Sequence, residues 1–124
     1  MFRRMARLLI VEDDDSVRTL AARALERAGH HIDLAADGAQ GLAAIHAASG
    51  GYDLVVSDIR MPEMDGIEMA RAAANAYPGM RIMLMTGYAE QRERAEELNG
   101  IVRDVMQKPF TLADLRGRVD RALS

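Results

Sequence analysis

The feature that most constrains the fold of this chain is the regular alternation of short apolar segments with helical patterns, which occurs five times in 124 residues. The predicted strands cover residues 7–11, 32–35, 53–57, 81–85 and 103–107. The predicted helices cover residues 16–28, 38–48, 67–76, 90–98 and 111–123. Strands that alternate with helices through short loops are typical of an α/β fold. We therefore expect one open, doubly wound parallel sheet with helices on both faces.

Composition restricts the class of protein further. The net charge is -3 and there are no cysteines, so a strongly basic nucleic-acid surface, disulfides and thiolate metal sites are all unexpected. Apolar runs such as Leu8–Val11 are far shorter than the roughly 20 residues that cross a bilayer. The charged start, residues 1–5, is followed by no signal-peptide apolar region before the acids at 12–15. The sequence predicts a single cytoplasmic domain over residues 1–124, without membrane or nucleic-acid partners and without an output domain.

Polar residues stand where the predicted strands end. Four acids, residues 12–15, follow the first strand, Asp58 follows the third, Thr86–Gly87 end the fourth, and Lys108 ends the fifth. Each has an ordinary structural explanation: Asp14 or Asp15 as a helix N-cap, Asp58 and Thr86 as turn or capping residues, and Lys108 as a solvated side chain. In a parallel sheet, however, these strand ends meet at one edge, where ligands bind. The sequence therefore predicts a polar cluster at this edge.

The predicted cluster is too acidic to be neutral by itself. Two carboxylates 4 Å apart repel by about 4 kcal/mol at an effective dielectric constant of about 20. Fifteen of the sixteen basic residues are arginine, and Lys108 is the one lysine. One ammonium group does not neutralise three acids, whereas a hard divalent cation such as Mg²⁺ binds an all-oxygen set and accepts phosphate oxygens. Carboxylates, a hydroxyl, a lysine and a metal together indicate a phosphoryl-transfer site, in which a carboxylate can be the nucleophile.

These residues belong to motifs that resemble those of response-regulator receiver domains, and the resemblance extends over about residues 6–123. The matching segments are Ile10–Asp14, Val55–Pro62, Met64–Gly66, Met85–Gly87 and Lys108–Phe110. The resemblance implies a flavodoxin-like (βα)5 sheet with strand order 2-1-3-4-5. It also implies a signalling domain that accepts phosphate from a histidine kinase or a histidine phosphotransfer protein, and that catalyses only its own phosphorylation and dephosphorylation.

The same resemblance assigns roles to individual residues. Asp58 is expected to be the phosphoacceptor, Thr86 to donate a hydrogen bond to the phosphoryl group, and Lys108 to pair with that group. Glu12 and Asp13 are expected to hold Mg²⁺ together with the Asp58 carboxylate and the backbone carbonyl of Arg60. The peptide bond between Lys108 and Pro109 is expected to be cis.

The switch region departs from the family pattern at one position. Receivers often carry Tyr or Phe three residues before the lysine, and this chain has Val105 there. Switching is therefore expected to depend on Thr86 and on the loop that begins at Gly87. Arg60 and Tyr88 occupy positions that tune phosphate lifetime in this family, although Arg60 is equally explained as a solvated surface residue. Tyr88 is a candidate substitute for the missing ring.

Several interpretations of output stay open. The fourth helix has few apolar residues to anchor it. It is interpreted either as a solvated charged helix or as a mobile helix that forms an output surface together with strand 5 and helix 5. The chain is expected to be a monomer or a phosphorylation-dependent dimer. Among single-domain receivers, residues 12–18 and 86–89 are most like those of a type that adapts the ClpXP protease to its substrates. A hybrid histidine kinase receiver, a phosphate shuttle and a non-phosphorylated binding module are alternatives. An Asp-dependent phosphohydrolase requires an acid where Arg60 stands, and a flavodoxin requires a Ser/Thr/Gly-rich loop where residues 12–15 are acidic.

Overall fold

The computed structural model describes residues 5–98 and 100–124, and within them five strands alternate with five helices. Residues 1–4, which belong to the charged start considered above, lie outside the described residues. The strands are β1 (Arg7–Val11), β2 (His31–Ala35), β3 (Leu54–Asp58), β4 (Ile82–Thr86) and β5 (Val102–Gln107). The helices are α1 (Asp15–Arg27), α2 (Gly38–Ala47), α3 (Gly66–Ala76), α4 (Ala89–Glu96) and α5 (Leu112–Leu123).

The strands form a parallel sheet in the order β2-β1-β3-β4-β5, which confirms the predicted flavodoxin-like topology. Every residue of β3 and β4 is buried. Central strands of a parallel sheet are apolar on both faces because helices cover both of them. Helices α1 and α5 pack on one face of the sheet, and α2, α3 and α4 pack on the other.

Two of the predicted site residues lie inside strands, one residue further than the sequence pattern indicated. Asp58 is the last residue of β3 and pairs with Met85, and Thr86 is the last residue of β4 and pairs with Gln107. The reason is that backbone pairing with the neighbouring strand continues past the end of each apolar run. Both side chains are therefore held by the sheet itself and not by a loop.

Helices α1, α2, α3 and α5 begin at a residue whose side chain caps the helix, whereas α4 begins without such a cap. The predicted alternatives for α1 are resolved in favour of Asp14, whose carboxylate accepts a hydrogen bond from the Val17 backbone N–H at 3.0 Å. Thr111 caps α5 in the same way, because its hydroxyl accepts a hydrogen bond from the Asp114 backbone N–H at 3.0 Å. Such caps satisfy backbone donors that the helix leaves unpaired, and they fix where the preceding loop ends.

Gly66, the first residue of α3, lets this helix approach the strand that carries Asp58. A Cβ atom at Gly66 would lie 2.2 Å from the backbone oxygen of Asp58 and 3.0 Å from the Cα of Ile59. The Gly66 backbone N–H also donates to the Ile59 carbonyl at 2.8 Å. The absence of a side chain at Gly66 thus determines how closely α3 packs beneath the site.

None of the helices within residues 5–98 and 100–124 combines the length and hydropathy of a membrane-spanning segment.

Two glycine-to-alanine substitutions are expected to change stability in opposite directions. Gly66→Ala should lower the free energy of unfolding by at least about 2 kcal/mol, because the new methyl group meets backbone that has no room to move. Gly117→Ala, in the middle of α5 where a new methyl group would meet open space, should raise it by up to about 1 kcal/mol through helix propensity. Urea denaturation of the two variants measures both effects, and equal effects of the same sign would show that packing at Gly66 is misjudged.

Candidate functional site

An acidic cleft lies at the carboxyl edge of the sheet, where β1, β3, β4 and β5 end. We define it by its lining residues, which are Glu12, Asp13, Asp14, Asp58, Arg60, Gly87, Tyr88 and Lys108. The strand ends that supply these residues are adjacent because the sheet is parallel and β1 lies beside β3. The predicted convergence of acids and lysine at this edge is therefore confirmed in its geometry.

Lys108 lies between two buried carboxylates and contacts both. Its Nζ atom is 3.0 Å from Glu12 Oε2 and 3.1 Å from Asp58 Oδ2. Glu12 is 1% exposed and Asp58 is 7% exposed, so both charges are largely removed from water. Removing one partner of such a buried group leaves an uncompensated charge, which is strongly destabilising. The ammonium group therefore joins the end of β5 to the ends of β1 and β3.

One lysine compensates these two acids only in part. Burial and the negative charge of Asp58 raise the pKa of Glu12, although the Lys108 ammonium opposes them. Burial likewise raises the pKa of Asp58 against the lowering effect of Lys108. Burial by itself acts to lower the pKa of Lys108, but the hydrogen bonds to Glu12 and Asp58 and the negative charges of both together outweigh burial, and the pKa is raised. Lys108 therefore stays protonated, and it compensates the negative charges of Glu12 and Asp58 only in part.

The loop after β1 is held in place by Arg18 of α1. The Arg18 guanidinium donates to the backbone carbonyl of Glu12 at 2.7 Å and forms an ion pair with Asp15. The Asp14 backbone N–H donates to Glu12 Oε1 at 3.3 Å. The orientation of the Glu12 carboxylate is therefore fixed by a hydrogen bond from the same loop and by Lys108.

Asp58 is held through both its side chain and its backbone. Its Oδ1 atom accepts a hydrogen bond from the Ile59 backbone N–H at 2.9 Å, and its Oδ2 atom faces Lys108. The hydroxyl of Ser57 donates to the Asp58 backbone carbonyl at 2.8 Å. Ser57 was not singled out from the sequence, because a serine in an apolar strand gives no signal of a role at the adjacent residue.

Three carboxylates in the described part of the chain lie close enough to share a cation. One oxygen from each of Glu12, Asp13 and Asp58 lies within 4.8 Å of the others. Asp13 is exposed, so the cluster is open to solvent on one side. An all-oxygen donor set of this kind, with an open side and too little positive charge, fits a hard divalent cation. Arg60 lines the same cleft, but the contribution of its backbone carbonyl stays a prediction.

Thr86 is at the same edge, but its hydroxyl is turned toward α4. It is 2% exposed, donates to Gln91 Oε1 at 2.9 Å, and accepts a hydrogen bond from the Tyr88 backbone N–H at 3.1 Å. The Lys108 backbone N–H donates to the Thr86 carbonyl at 2.9 Å, which links the two strand ends. Gln91 was missed in the sequence, because a glutamine among charged helical residues has the pattern of a solvated side chain.

The predicted tuning and switch residues occupy different places. The Arg60 guanidinium carbon lies 5.0 Å from the centre of the Tyr88 ring, a cation–π arrangement at the mouth of the cleft. Tyr88 is 45% exposed, and Gly87 leaves the space next to the Lys108 side chain open. Val105 is half-buried against the apolar cluster on the α3 and α4 side of the sheet. The peptide bond between Lys108 and Pro109 is cis, as the resemblance implied.

The raised pKa values of Glu12 and Asp58 predict how stability depends on pH. The pKa of each carboxyl group is higher in the folded than in the unfolded chain, so folding gains stability from their protonation. This contribution is complete below the unfolded pKa values and is lost as the pH rises through the folded ones. Without divalent cations, the wild type should therefore gain stability relative to a Glu12→Gln/Asp58→Asn double variant as the pH falls from neutral toward the ordinary pKa range of carboxyl groups.

Urea denaturation of both proteins over this pH range measures the effect. The difference between the two proteins isolates the contribution of the two substituted carboxyl groups. A difference that does not change with pH, or that changes in the opposite direction, would show that the two buried carboxylates are already compensated.

Comparisons with known proteins agree with this geometry. The profile of the response regulator receiver domain matches residues 8–120. The response regulator receiver protein CpdR of Brucella abortus is 36% identical over 119 residues, which cover 96% of this chain and 98% of that protein. Sensor kinase CckA of the same organism is 35% identical over 118 residues, but this chain spans 12% of its length.

A solved structure gives the same result. The chemotaxis response regulator CheY4 of Vibrio cholerae superposes with a TM-score of 0.86 at 30% identity, covering 97% of this chain and 100% of that one. The fold, the motifs and the arrangement of the strand ends have one explanation in common. The chain belongs to the family of response regulator receiver domains, the signalling modules of two-component systems.

Proposed function

We propose that this chain accepts a phosphoryl group on Asp58 from a histidine kinase or a histidine phosphotransfer protein, with Mg²⁺ as cofactor. The observation that carries the proposal is the position of the Asp58 carboxylate, held between the Ile59 backbone N–H and Lys108 in an open acidic cleft. One carboxylate oxygen of Asp58 lies within 4.8 Å of one carboxylate oxygen of Glu12 and of one of Asp13. A carboxylate fixed in this way is oriented for nucleophilic attack.

In the proposed reaction an Asp58 carboxylate oxygen attacks the phosphorus atom of the donor. A bond between oxygen and phosphorus forms, the bond from phosphorus to the donor's imidazole nitrogen breaks, and the electron pair remains with the imidazole. Lys108 then pairs with the transferred group, and Thr86 donates a hydrogen bond from its hydroxyl to a phosphoryl oxygen. Glu12, Asp13, Asp58 and the backbone carbonyl of Arg60 would hold Mg²⁺, which supplies positive charge to phosphoryl oxygens.

Four further residues have proposed roles in the lifetime and readout of the phosphate. Arg60 and Tyr88 form the mouth of the cleft, and we infer that their pairing limits access of water to Asp58. Gly87 begins the loop after Thr86, and we infer that this loop moves together with Thr86 on phosphorylation. Val105 does not supply an aromatic side chain, so readout passes through Thr86 and α4.

The output is proposed to be a protein partner bound by the α4–β5–α5 surface in the cytoplasm. Residues 12–18 and 86–89 resemble those of single-domain receivers that adapt the ClpXP protease to its substrates, and the match to the receiver protein CpdR extends over nearly the whole chain. The candidate output is therefore the ClpXP protease machinery, with the chain as adaptor. The similarity to CckA favours a second candidate, a receiver that passes phosphate within a hybrid histidine kinase system. The first candidate predicts phosphorylation-dependent binding to ClpXP, and the second predicts transfer of the phosphoryl group from Asp58 to a histidine phosphotransfer protein.

The domain acts as a monomer or as a phosphorylation-dependent dimer, and sedimentation before and after phosphorylation separates these states.

Intact mass spectrometry tests the phosphorylation directly. After incubation with a small-molecule phosphodonor and Mg²⁺, the wild type should gain the mass of one phosphoryl group. Asp58→Ala and a chelator should each abolish the gain, whereas Asp120→Asn, a carboxylate change on the exposed side of α5, should leave it unchanged.

A phosphoryl group that persists in Asp58→Ala would place the acceptor elsewhere. A wild type that is phosphorylated neither by the small molecule nor by a histidine phosphotransfer protein would identify a non-phosphorylated binding module.

Arg60 and Tyr88 are expected to act on phosphate lifetime as a pair. Arg60→Ala and Tyr88→Ala should each shorten the half-life of the phosphorylated form by about two- to fivefold, since a cation–π contact contributes about 0.5–1 kcal/mol at exposed sites. The double variant should be no worse than the more affected single variant, because either change already removes the contact. Loss of phosphoryl mass with time measures the half-life, and fully additive effects would show that the two residues act separately.

A further inference from the structure

The Thr86 hydroxyl has a single proton, and that proton is already engaged. It is donated to Gln91 Oε1 at 2.9 Å, while the oxygen accepts from the Tyr88 backbone N–H at 3.1 Å. The Thr86 side chain is buried, so water does not provide an alternative acceptor. A hydroxyl donates one hydrogen bond at a time. Thr86 therefore cannot donate to Gln91 and to a phosphoryl group on Asp58 at once.

Gln91 also belongs to the set of polar contacts that hold α4. The guanidinium group of the neighbouring residue Arg92 donates a hydrogen bond to Gln107 Oε1, at the end of β5, at 3.1 Å. The Arg94 Nη2 atom lies 3.5 Å from Asp65 Oδ2. Among the described residues of α4, Ala95 is the buried one. A helix with so little buried apolar surface is held largely by polar side-chain contacts, and loss of one of them changes its local stability.

We propose that Gln91 is a positioning residue that competes with the phosphoryl group for the Thr86 proton, so that phosphorylation of Asp58 releases α4 at its first turn. The proposal rests on the proposed function, because it requires Thr86 to donate to a group on Asp58. It assigns to Gln91 and Thr86 the link between site and helix in a chain with Val105 at the usual aromatic position. Gln91 holds the hydroxyl in the unphosphorylated state, and its release leaves α4 without that anchor.

The dissociation constant of beryllofluoride, a phosphoryl mimic, tests the competition in the full chain with Mg²⁺. Gln91→Leu removes the acceptor at similar size and should tighten binding about fivefold, the equivalent of one ordinary hydrogen bond. Gln91→Ala serves as a second variant in the same direction. Gln91→Glu keeps an acceptor and should not tighten binding. In a Thr86→Val background, Gln91→Leu should have no effect, because there is no proton to compete for.

Gln107→Leu is the matched control. This variant makes the same glutamine-to-leucine change at another position. It removes the hydrogen bond that Arg92 of α4 donates to Gln107, and it leaves the Thr86–Gln91 hydrogen bond in place. It should loosen α4 without tightening beryllofluoride binding. Amide hydrogen exchange should show the α4 amides of Gln91→Leu already less protected without the mimic, and those of the wild type less protected only with it.

Three results would overturn the proposal. One is an unchanged dissociation constant in both Gln91→Leu and Gln91→Ala, and another is equal tightening by Gln107→Leu. The third is tightening by Gln91→Leu that persists in the Thr86→Val background. If instead the wild type binds beryllofluoride no better than Asp58→Asn does, the proposed function itself fails, and the role of Gln91 fails with it.

Discussion

The ion pairs of Lys108 with two buried carboxylates are the interaction on which the site depends. The ammonium group lies 3.0 Å from Glu12 and 3.1 Å from Asp58, so a residue at the end of β5 connects the ends of β1 and β3. Without it, two acids that are almost fully buried would face each other with no positive charge between them. The parallel sheet makes the arrangement possible, because it brings three strand ends far apart in sequence to one edge.

The same cluster is poorly suited to stability on its own. Burial raises the pKa of both Glu12 and Asp58, which shows that their charged forms are less favourable here than in water. Asp13 adds a third carboxylate at the open side. Functional sites often break the rules that stabilise the rest of a fold, and this cluster does so in a way that favours binding of a cation and an anionic group together. The unfavourable charge is thus the source of the proposed chemistry.

Much of the fold was predictable because its signals are local. Short apolar runs alternating with helical patterns indicated each element to within about two residues, and motif resemblance indicated the strand order. The convergence of Glu12, Asp58 and Lys108 followed from the geometry of parallel strands. The roles proposed for these residues, including Mg²⁺ binding, remain predictions for experiment.

The contacts that sequence reasoning missed share a physical cause. Arg18, Ser57 and Gln91 each act through one hydrogen bond to a site residue or its backbone. A polar residue on a helix or inside a strand has the same pattern in the sequence whether it makes such a bond or faces solvent. Only the three-dimensional positions of donor and acceptor distinguish the two cases. The direction of the Thr86 hydroxyl, toward α4, likewise depends on where Gln91 lies.

The proposed chemistry requires the carboxyl edge of the sheet to hold a divalent cation between Glu12, Asp13 and Asp58. Isothermal titration calorimetry with Mg²⁺ alone, at neutral pH and without any phosphodonor, tests it most directly. One ion should bind per chain, and binding should be lost or strongly weakened in Asp13→Asn, which removes the exposed carboxylate and leaves the Lys108 ion pairs intact. Binding to the wild type that is absent, or that is unchanged in Asp13→Asn, would contradict it.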